Sequence, residues 1–357
     1  MMDRLKIAMI NGIRPMKGSG DGVTEYAYNM YLQLRKKNSV DLVYAIERAR
    51  KNDALGLLKV NSVLAGRASH ATREGYDIFH IVNQEVGFAA REIKRANRNA
   101  RVVTTIHDMV RFQSGLSKGM LQKAYNRMVR SSIEGAVKYS DFLLFDSAQT
   151  MDDVKRRFGN VKGEVVNIGI EDRFFSRIPA KKKEGKGFVV GYLGSFAYHK
   201  NVMMLLKAAS LLKGSDIEFR IYGMGSERKR IEEYVRSNGL SNVRLMGFAG
   251  EKEKVRIYDS FDAFVFPSMY EGFGLPILEA QARGLPVIIY RKGRIPKEVA
   301  RHCFAAGDEQ RMSQIIEDIR KDGYNKRGMR KALEYARSFT WERCAKGTFE
   351  IYNKISN

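Results

Sequence analysis

One thirty-residue segment, residues 261–290, most constrains what this chain can fold into. It begins and ends with apolar runs that are long enough for buried strands, and between them lies a glycine-containing loop, Glu271–Gly274. Pro276 suits the first turn of a helix, and Gly284 suits its C-terminal cap. A strand, a loop, a helix and a second strand in this order predict a parallel α/β sheet.

The loop of this segment has the chemistry of a site for a phosphorylated sugar. Ligands of open α/β sheets bind where a strand ends and a helix begins, and the helix N-terminus favours phosphate. Glu271 lies on the loop and Glu279 in the following helix, and carboxylate oxygens accept hydrogen bonds from vicinal sugar hydroxyls. Together these features predict a sugar-nucleotide site. The alternative, that Glu279 complements the helix dipole and Glu271 is an ordinary loop residue, is equally open on local grounds.

The segment Ser268–Val287 resembles a known family signature. It reads SMYEGFGLPILEAQARGLPV and is similar to the E-x(7)-E motif of retaining nucleotide-sugar glycosyltransferases, family 4, which have the GT-B fold. The resemblance implies that Glu271 contacts the donor sugar and Glu279 the ribose. It also implies that four backbone amides face the diphosphate and the sugar, those of Gly272, Phe273, Gly274 and Leu275.

The resemblance and the repeated strand–loop–helix units predict an α/β fold of two Rossmann-like domains that face each other across a cleft. We assign residues 1–175 to an N-terminal, acceptor-side domain and residues 176–187, with their lysine run, to a linker. Residues 188–338 are assigned to the nucleotide-sugar-binding domain. Residues 339–357 resemble the family's closing helix, which crosses back to pack on the first domain.

Two further motifs lie in the first predicted domain. Gly18–Gly22 joins a strand to a helix, and the resemblance implies that Gly22 faces the donor phosphate. His107 follows a predicted strand, and the resemblance implies that it lies near the donor sugar and assists catalysis. The alternative is a loop histidine that is hydrogen-bonded to its neighbour Asp108. His80 lies inside an apolar strand and is predicted to be structural.

The second predicted domain carries four more candidate donor-binding residues. Lys200 directly precedes a predicted helix, where a lysine can bind a diphosphate together with the backbone amides. The family usually has an arginine where this chain has Ser195, so Lys200 alone of the expected basic pair is present. Gly247 and Phe248 end a predicted strand, and the resemblance places them beside the nucleotide base. For Phe248, core packing is an equally weighted alternative.

Charge and composition restrict the class of protein. The 357 residues favour two domains, and the two cysteines cannot form a disulfide framework, which favours the cytoplasm. No apolar run is long enough to span a bilayer. The net charge of +23 is spread over both halves and indicates anionic partners such as sugar nucleotides, acidic lipids or nucleic acid. No nucleic-acid-binding module is visible, so a specific nucleic-acid partner is not expected.

Residues 118–139 combine apolar and basic side chains at helical spacing. They predict either a basic amphipathic face on an anionic membrane surface or a surface helix with its apolar side in the core. The second interpretation is favoured, and a peripheral position on the inner face of the membrane stays open.

The predicted activity is metal-independent, retaining transfer of a hexose from a nucleoside-diphosphate sugar, of GDP-mannose or UDP-glucose type, to a glycan or lipid-linked acceptor. No cofactor is expected. The sequence contains no Asp-x-Asp motif. A glycosidase would need two carboxylates opposed across a bond, whereas Glu271 and Glu279 lie on one loop–helix unit. A basic nucleic-acid- or polyanion-binding protein, and a GT-B sugar-nucleotide epimerase, remain the alternatives.

Overall fold

The computed structural model of the chain describes residues 4–17, 22–47, 54–113, 120–176 and 187–356, apart from the side chains of residues 54–59 and 120–122. The chain divides into two compact units. The first comprises Met1–Gly169 with Trp341–Asn357, and the second comprises Ile170–Thr340. Each unit contains one six-stranded parallel sheet.

The first unit alternates strands and helices around its sheet, whose strand order is 2-1-3-4-5-6. Its strands are β1 Lys6–Ile13, β2 Ser39–Ile46, β3 Ile78–Ile81, β4 Val102–Ile106, β5 Phe142–Phe145 and β6 Gly163–Val165. Its helices are α1 Gly22–Leu34, α2 Ala54–Ala71, α3 Ala89–Ala96, α4 Met120–Tyr139, α5 Ala148–Phe158 and, from the end of the chain, α13 Trp341–Ser356.

The central strands of this unit are apolar along their whole length because the sheet is covered on both faces. Every residue of β3, β4 and β5 is buried. The core between the sheet and the helices α2 and α3 is built around Phe79, Leu64, Ile93 and Val102. The strands therefore end in loops on a rigid base, which fixes where the loop residues lie.

The last helix, α13, packs in the first unit, as predicted from the family's closing helix. Trp341 contacts the ring of Tyr26 at a centroid distance of 5.9 Å. The Tyr352 hydroxyl lies 2.6 Å from Nδ1 of His80, and Cys344 is buried. The end of the chain is thus held by buried polar contacts as well as by apolar packing.

The predicted boundary between the domains, after residue 175, differs from the division that the structure shows after Gly169. The Ile170 amide donates to the Phe339 carbonyl at 3.0 Å, and the Arg283 guanidinium donates to the carbonyls of Phe174 and Ser176. These bonds attach residues 170–176 to the second unit. The last strand of the first unit ends at Val165, and residues 166–169 have no regular secondary structure. The predicted linker, 176–187, lies almost wholly outside the described residues.

The second unit repeats the same architecture, with the strand order 12-11-10-7-8-9. Its strands are β7 Phe188–Leu193, β8 Ile217–Tyr222, β9 Val243–Gly247, β10 Ala263–Phe266, β11 Val287–Tyr290 and β12 Phe304–Ala306. Its helices are α6 Val202–Leu211, α7 Arg228–Ser237, α8 Lys254–Asp259, α9 Leu275–Ala282, α10 Lys297–Ala300, α11 Glu309–Asp322 and α12 Lys326–Ala336.

The described residues also bear on the membrane interpretation of α4. Val129 and Ile133 are buried in the first unit, whereas Lys123 and Arg127 are exposed. The apolar side of the described part of α4 therefore faces the core, as the favoured interpretation expects. Across the described ranges, no helix combines the length and the hydropathy that crossing a bilayer requires.

Candidate functional site

The β10–α9 loop presents the two glutamates of the signature. Gly274 caps α9 with φ of 105°, a conformation that side chains rarely adopt, so glycine is required here. Pro276 follows in the first turn of the helix. Glu271 is 8% exposed and Glu279 is 6% exposed. Buried carboxylates need partners, and the two glutamates have different ones.

Glu271 is paired with Lys200. The Lys200 Nζ lies 2.7 Å from Oε1 and 2.9 Å from Oε2 of Glu271, and 5.3 Å from the centre of the Phe266 ring. Lys200 ends the short turn Tyr198–Lys200 that follows β7. The ammonium and the carboxylate are thus brought together from two neighbouring strands, with 18% and 9% of their side chains exposed.

The main chain of the loop is held on both sides. The Met269 amide donates to the His199 carbonyl at 2.7 Å, and the Arg294 amide donates to the Met269 carbonyl at 2.8 Å. The Glu271 amide donates in turn to the Arg294 carbonyl at 2.9 Å. A side chain at Gly293 would come within 2.2 Å of the Ser268 carbonyl oxygen. The position of Glu271 is therefore fixed before any ligand binds.

Glu279 belongs to a separate network. The Tyr258 hydroxyl donates to Oε2 of Glu279 at 2.8 Å, and Lys254 lies 3.8 Å from Oε1. Lys254 also contacts Glu251, which is bound on its other oxygen by Arg173 at 2.8 Å. Burial opposes the charge of Lys254, but Glu279 and Glu251 raise the pKa of its ammonium. Burial, followed by the nearby Glu279, holds the pKa of Tyr258 well above its usual value.

Lys254 and Tyr258 are two residues of this site that the sequence reasoning missed. Both lie on the short helix α8, which precedes β10 and for which no prediction was made. Their spacing of four residues, which places both on one face of a helix, was the available signal. Nothing local indicates that the partner on that face is Glu279.

The remaining candidates of the second unit lie in different environments. Phe273 is buried and packs on Phe339 at 5.9 Å, so its backbone rather than its ring is available to a ligand. Ser195 is exposed. Gly247 adopts φ of 77°, with open space at its missing side chain. Phe248 is 68% exposed, so the alternative of core packing for this residue is wrong.

His107, in the first unit, is buried and fully engaged. Its Nδ1 lies 2.7 Å from Oδ2 of Asp146, and its Nε2 lies 2.9 Å from the Val82 carbonyl. Burial disfavours the charged ring, but the Asp146 carboxylate and the Val82 carbonyl raise the pKa of His107 to about 9. Both N–H groups donate inside the unit, so in this arrangement neither can donate to a sugar hydroxyl.

The alternative predicted for His107, a bond to its neighbour Asp108, is wrong. Asp108 accepts from the Val110 amide at 2.8 Å instead. His80 is structural, as predicted: Thr105 and Tyr352 bind its two ring nitrogens, and burial lowers its pKa to about 3.

Gly22 begins α1 and is exposed, with open space at its missing side chain. Its local geometry does not demand glycine. The preceding part of the predicted loop, residues 18–21, lies outside the described residues. Among the residues that are described, no group of three or more His, Cys, Asp or Glu side chains could hold a metal ion.

Comparison with known proteins agrees with this architecture. The sequence family described as Glycosyl transferases group 1 matches residues 174–338, which is nearly the whole second unit. The O-antigen chain mannosyltransferase B of Escherichia coli is 26% identical over 278 residues, covering 72% of each chain.

Solved structures match over the full length. A sucrose-phosphate synthase from Thermosynechococcus elongatus has a TM-score of 0.80 at 20% identity and covers 99% of both chains. Anabaena HepE in complex with UDP-glucose has a TM-score of 0.75 at 16% identity, covering 98% of this chain and 100% of that one. These structures show the α/β GT-B fold, and the family match together with the E. coli relative shows that the chain is a glycosyltransferase.

Proposed function

We propose that this glycosyltransferase is a retaining, family 4 type enzyme that transfers a hexose from a nucleoside-diphosphate sugar to a glycan or lipid-linked acceptor. The observation that carries the proposal is the Lys200–Glu271 pair beside the N-terminus of α9. Two relatives support the donor class: the HepE structure contains UDP-glucose, and the E. coli relative is named a mannosyltransferase. We therefore propose a donor of UDP-glucose or GDP-mannose type.

Lys200 is the proposed partner of the donor diphosphate. Its ammonium can exchange the Glu271 carboxylate for phosphate oxygens, because the pair is partly open to solvent. The amides at the start of α9 and the positive end of the helix dipole add to this positive potential. They stabilise the charge that collects on the leaving diphosphate. In this proposal the amides are those of Gly272, Phe273, Gly274 and Leu275.

The two glutamates have complementary proposed roles. Glu271, when Lys200 turns to the phosphate, accepts hydrogen bonds from the donor sugar and stabilises the positive charge developing on it. Glu279 accepts from the ribose, and Tyr258 and Lys254 hold its carboxylate in place and charged. The exposed ring of Phe248, next to Gly247, offers a surface on which the base can stack.

In the proposed reaction the bond between C1 of the sugar and the diphosphate oxygen breaks, and a bond from C1 to the acceptor oxygen forms on the same face. The acceptor proton passes to the departing phosphate oxygen, and a nucleoside diphosphate leaves. Lys200 and the α9 amides supply the positive charge, so we propose that no metal ion and no cofactor take part. Gly22 is proposed to face the phosphate and Ser195 to contact the donor.

His107 is kept in the proposal as a positioning residue rather than as a proton donor. Its two ring N–H groups bind Asp146 and Val82, which fixes the loop after β4. The catalytic role that the resemblance implies for His107 would require one of these bonds to open.

The proposal is tested by thermal unfolding with UDP, GDP and ADP, followed by a nucleoside-diphosphate release assay with UDP-glucose and GDP-mannose. A ligand at about 100 times its Kd stabilises a protein by about 2.7 kcal/mol, so one nucleotide should raise the melting temperature clearly. Release should fall by about 100-fold or more in Glu271→Ala and stay unchanged in the exposed control Glu334→Ala. No stabilisation by any of the three nucleotides would overturn the proposal.

We further propose a cytoplasmic enzyme that meets its acceptor at the inner face of an anionic membrane. The support is electrostatic: the net charge is +23, and Lys123 and Arg127 are exposed on α4. Flotation with vesicles containing acidic lipid should recover the protein at low salt and not at high salt. Equal recovery with neutral vesicles, or no recovery at low salt, contradicts the membrane proposal.

A further inference from the structure

A cavity of about 420 Å³ lies in the second unit beside the candidate donor site. It shares the turn from Tyr198 to Asn201 with that site, but neither Lys200 nor Glu271 lines it. Its walls come from the start of α6, from α7, from the end of β11 and from the start of α11. Its volume falls in the range of about 300–1,000 Å³ that is typical of ligand pockets.

The charges that line this cavity balance one another. Lys207 lies 3.5 Å from Glu309, and Arg230 lies 3.0 Å from Glu227. Asp308 accepts from the Arg311 amide at 2.8 Å, and Lys292 adds a third cation to the lining. Three cations thus face three carboxylates, so the cavity does not have the one-signed potential that would select an anion or a cation.

Apart from Asn201 and Gly307, the rest of the lining is aromatic and apolar. Tyr198, which is 48% exposed, and Tyr290 line the cavity as aromatic residues, and Met203 and Met204 line it as flexible apolar ones. A ligand that fits must therefore offer hydroxyl groups to paired carboxylates and cations and an apolar C–H face to an aromatic ring. A neutral pyranose ring has both properties.

We propose that this cavity binds a neutral hexose residue of a carbohydrate, at a site distinct from that of the donor sugar. The inference rests on the proposed function only in taking this residue to be part of a glycan acceptor. Asn201 directly follows Lys200, and Met269, which also lines the cavity, lies two residues before Glu271. A glycan held here is therefore anchored on the same two loops that carry the proposed donor contacts.

The experiment is saturation-transfer NMR with methyl α-D-mannopyranoside and methyl α-D-glucopyranoside on the full chain. We expect binding of at least one hexoside with a Kd on the order of 1 mM. Tyr198→Ala, which removes the ring face, and Met203→Trp, which fills the cavity, should each weaken that binding by about tenfold. The control Tyr234→Ala changes a tyrosine of α7 that does not line the cavity and should bind as the wild type does.

Several results would overturn the inference. One is the absence of saturation transfer to either hexoside, and another is binding that Tyr198→Ala and Met203→Trp leave unchanged. A third is binding that Glu271→Ala abolishes, because that result would locate the sugar in the donor site. Inorganic phosphate that displaces the hexoside would show an anion site instead. Hexoside binding without any nucleotide binding would refute the proposed function and leave this inference standing, so the two failures are distinguishable.

Discussion

Each unit contains a largely enclosed ion pair, and the two pairs differ in geometry and in exposure. In the first unit His107 donates from both ring nitrogens, to Asp146 and to the Val82 carbonyl. In the second unit the single ammonium of Lys200 contacts both oxygens of Glu271. The first pair is 8% and 4% exposed, and the second is 18% and 9% exposed.

This difference in geometry and exposure indicates which of the two ion pairs can exchange its partner. The rigid imidazole ring of His107 cannot turn without losing two hydrogen bonds in a buried place, which is costly. The Lys200 side chain has three donors on a flexible stem and can move to a new acceptor while remaining charged. We therefore interpret the His107–Asp146 pair as a structural contact that stabilises the first unit, and the Lys200–Glu271 pair as the one that binds substrate.

The sharpest test of this contrast is removal of the His107 partner. Asp146→Asn takes one charge from a buried pair and should lower the free energy of unfolding of the first unit by about 3–5 kcal/mol. Trp341, the single tryptophan, lies in α13 of that unit and reports its unfolding in urea by fluorescence. The exposed control Asp152→Asn should unfold as the wild type does. A decrease in the free energy of unfolding of less than about 1 kcal/mol would contradict the interpretation of this pair as a stabilising structural contact.

The same pair predicts a pH dependence. The folded pKa of His107, about 9, is raised above the ordinary 6.5, so its stabilisation is fully present below pH 6.5 and is lost as the pH rises through 9. The folded pKa of His80, about 3, is lowered, so the neutral ring is favoured above pH 6.5 and unfolding is promoted as the pH falls below it. Because of these two groups, the free energy of unfolding, followed by the fluorescence of Trp341, should be greatest near pH 6.5. The alkaline loss should disappear in Asp146→Asn, and its persistence there would assign it to another group.

Removal of the Lys200 ammonium should affect ligand binding rather than the stability of the first unit. Lys200→Ala should weaken nucleoside-diphosphate affinity by about 10- to 100-fold, or about 1.4–2.7 kcal/mol, because a charged contact to phosphate is lost. Titration calorimetry measures this change, with the exposed Lys229→Ala as the control. Unfolding reported by Trp341 should stay unchanged. An unaltered dissociation constant removes Lys200 from the diphosphate site.

The smallest expected effect concerns Ser195. Its side chain is exposed, so Ser195→Arg can be accommodated and should tighten nucleoside-diphosphate affinity by a few-fold through an added cation, about 1 kcal/mol or less. Ser195→Ala serves as the matched control and should change affinity less than twofold. If Ser195→Arg weakens binding, the phosphate does not lie beside this position.

Much of the fold was predictable from local patterns. The strand, loop, helix and strand predicted within residues 261–290 are present as β10, α9 and β11, because buried strands have clear apolar runs and Pro276 and Gly284 indicate the two ends of the helix. The edge strand Ser39–Ile46 was missed because its residues are mostly half-buried and it carries Asp41. An edge strand needs no continuous apolar run.

The candidate site was predictable only in part, and the limit is the range of the contacts. The loop of Glu271 and the capping glycine could be identified because they lie within one short segment. The partners Asp146, Tyr258 and Lys254 could not, because they lie 39, 21 and 25 residues from the side chains that they contact. Such pairs depend on strand order and on helix packing, which no local pattern contains.

One backbone feature bears on the entropic cost of ligand binding at the candidate site. Asn201 has φ of 53°, alone among the non-glycine residues of the described chain in having a positive φ, and its side-chain amide donates to the Pro267 carbonyl at 3.2 Å. The turn that carries the Lys200 ammonium is thereby tied to the strand that leads to Glu271. This turn is already ordered in the folded chain, so binding of the proposed donor diphosphate would not carry the entropic cost of positioning the Lys200 turn.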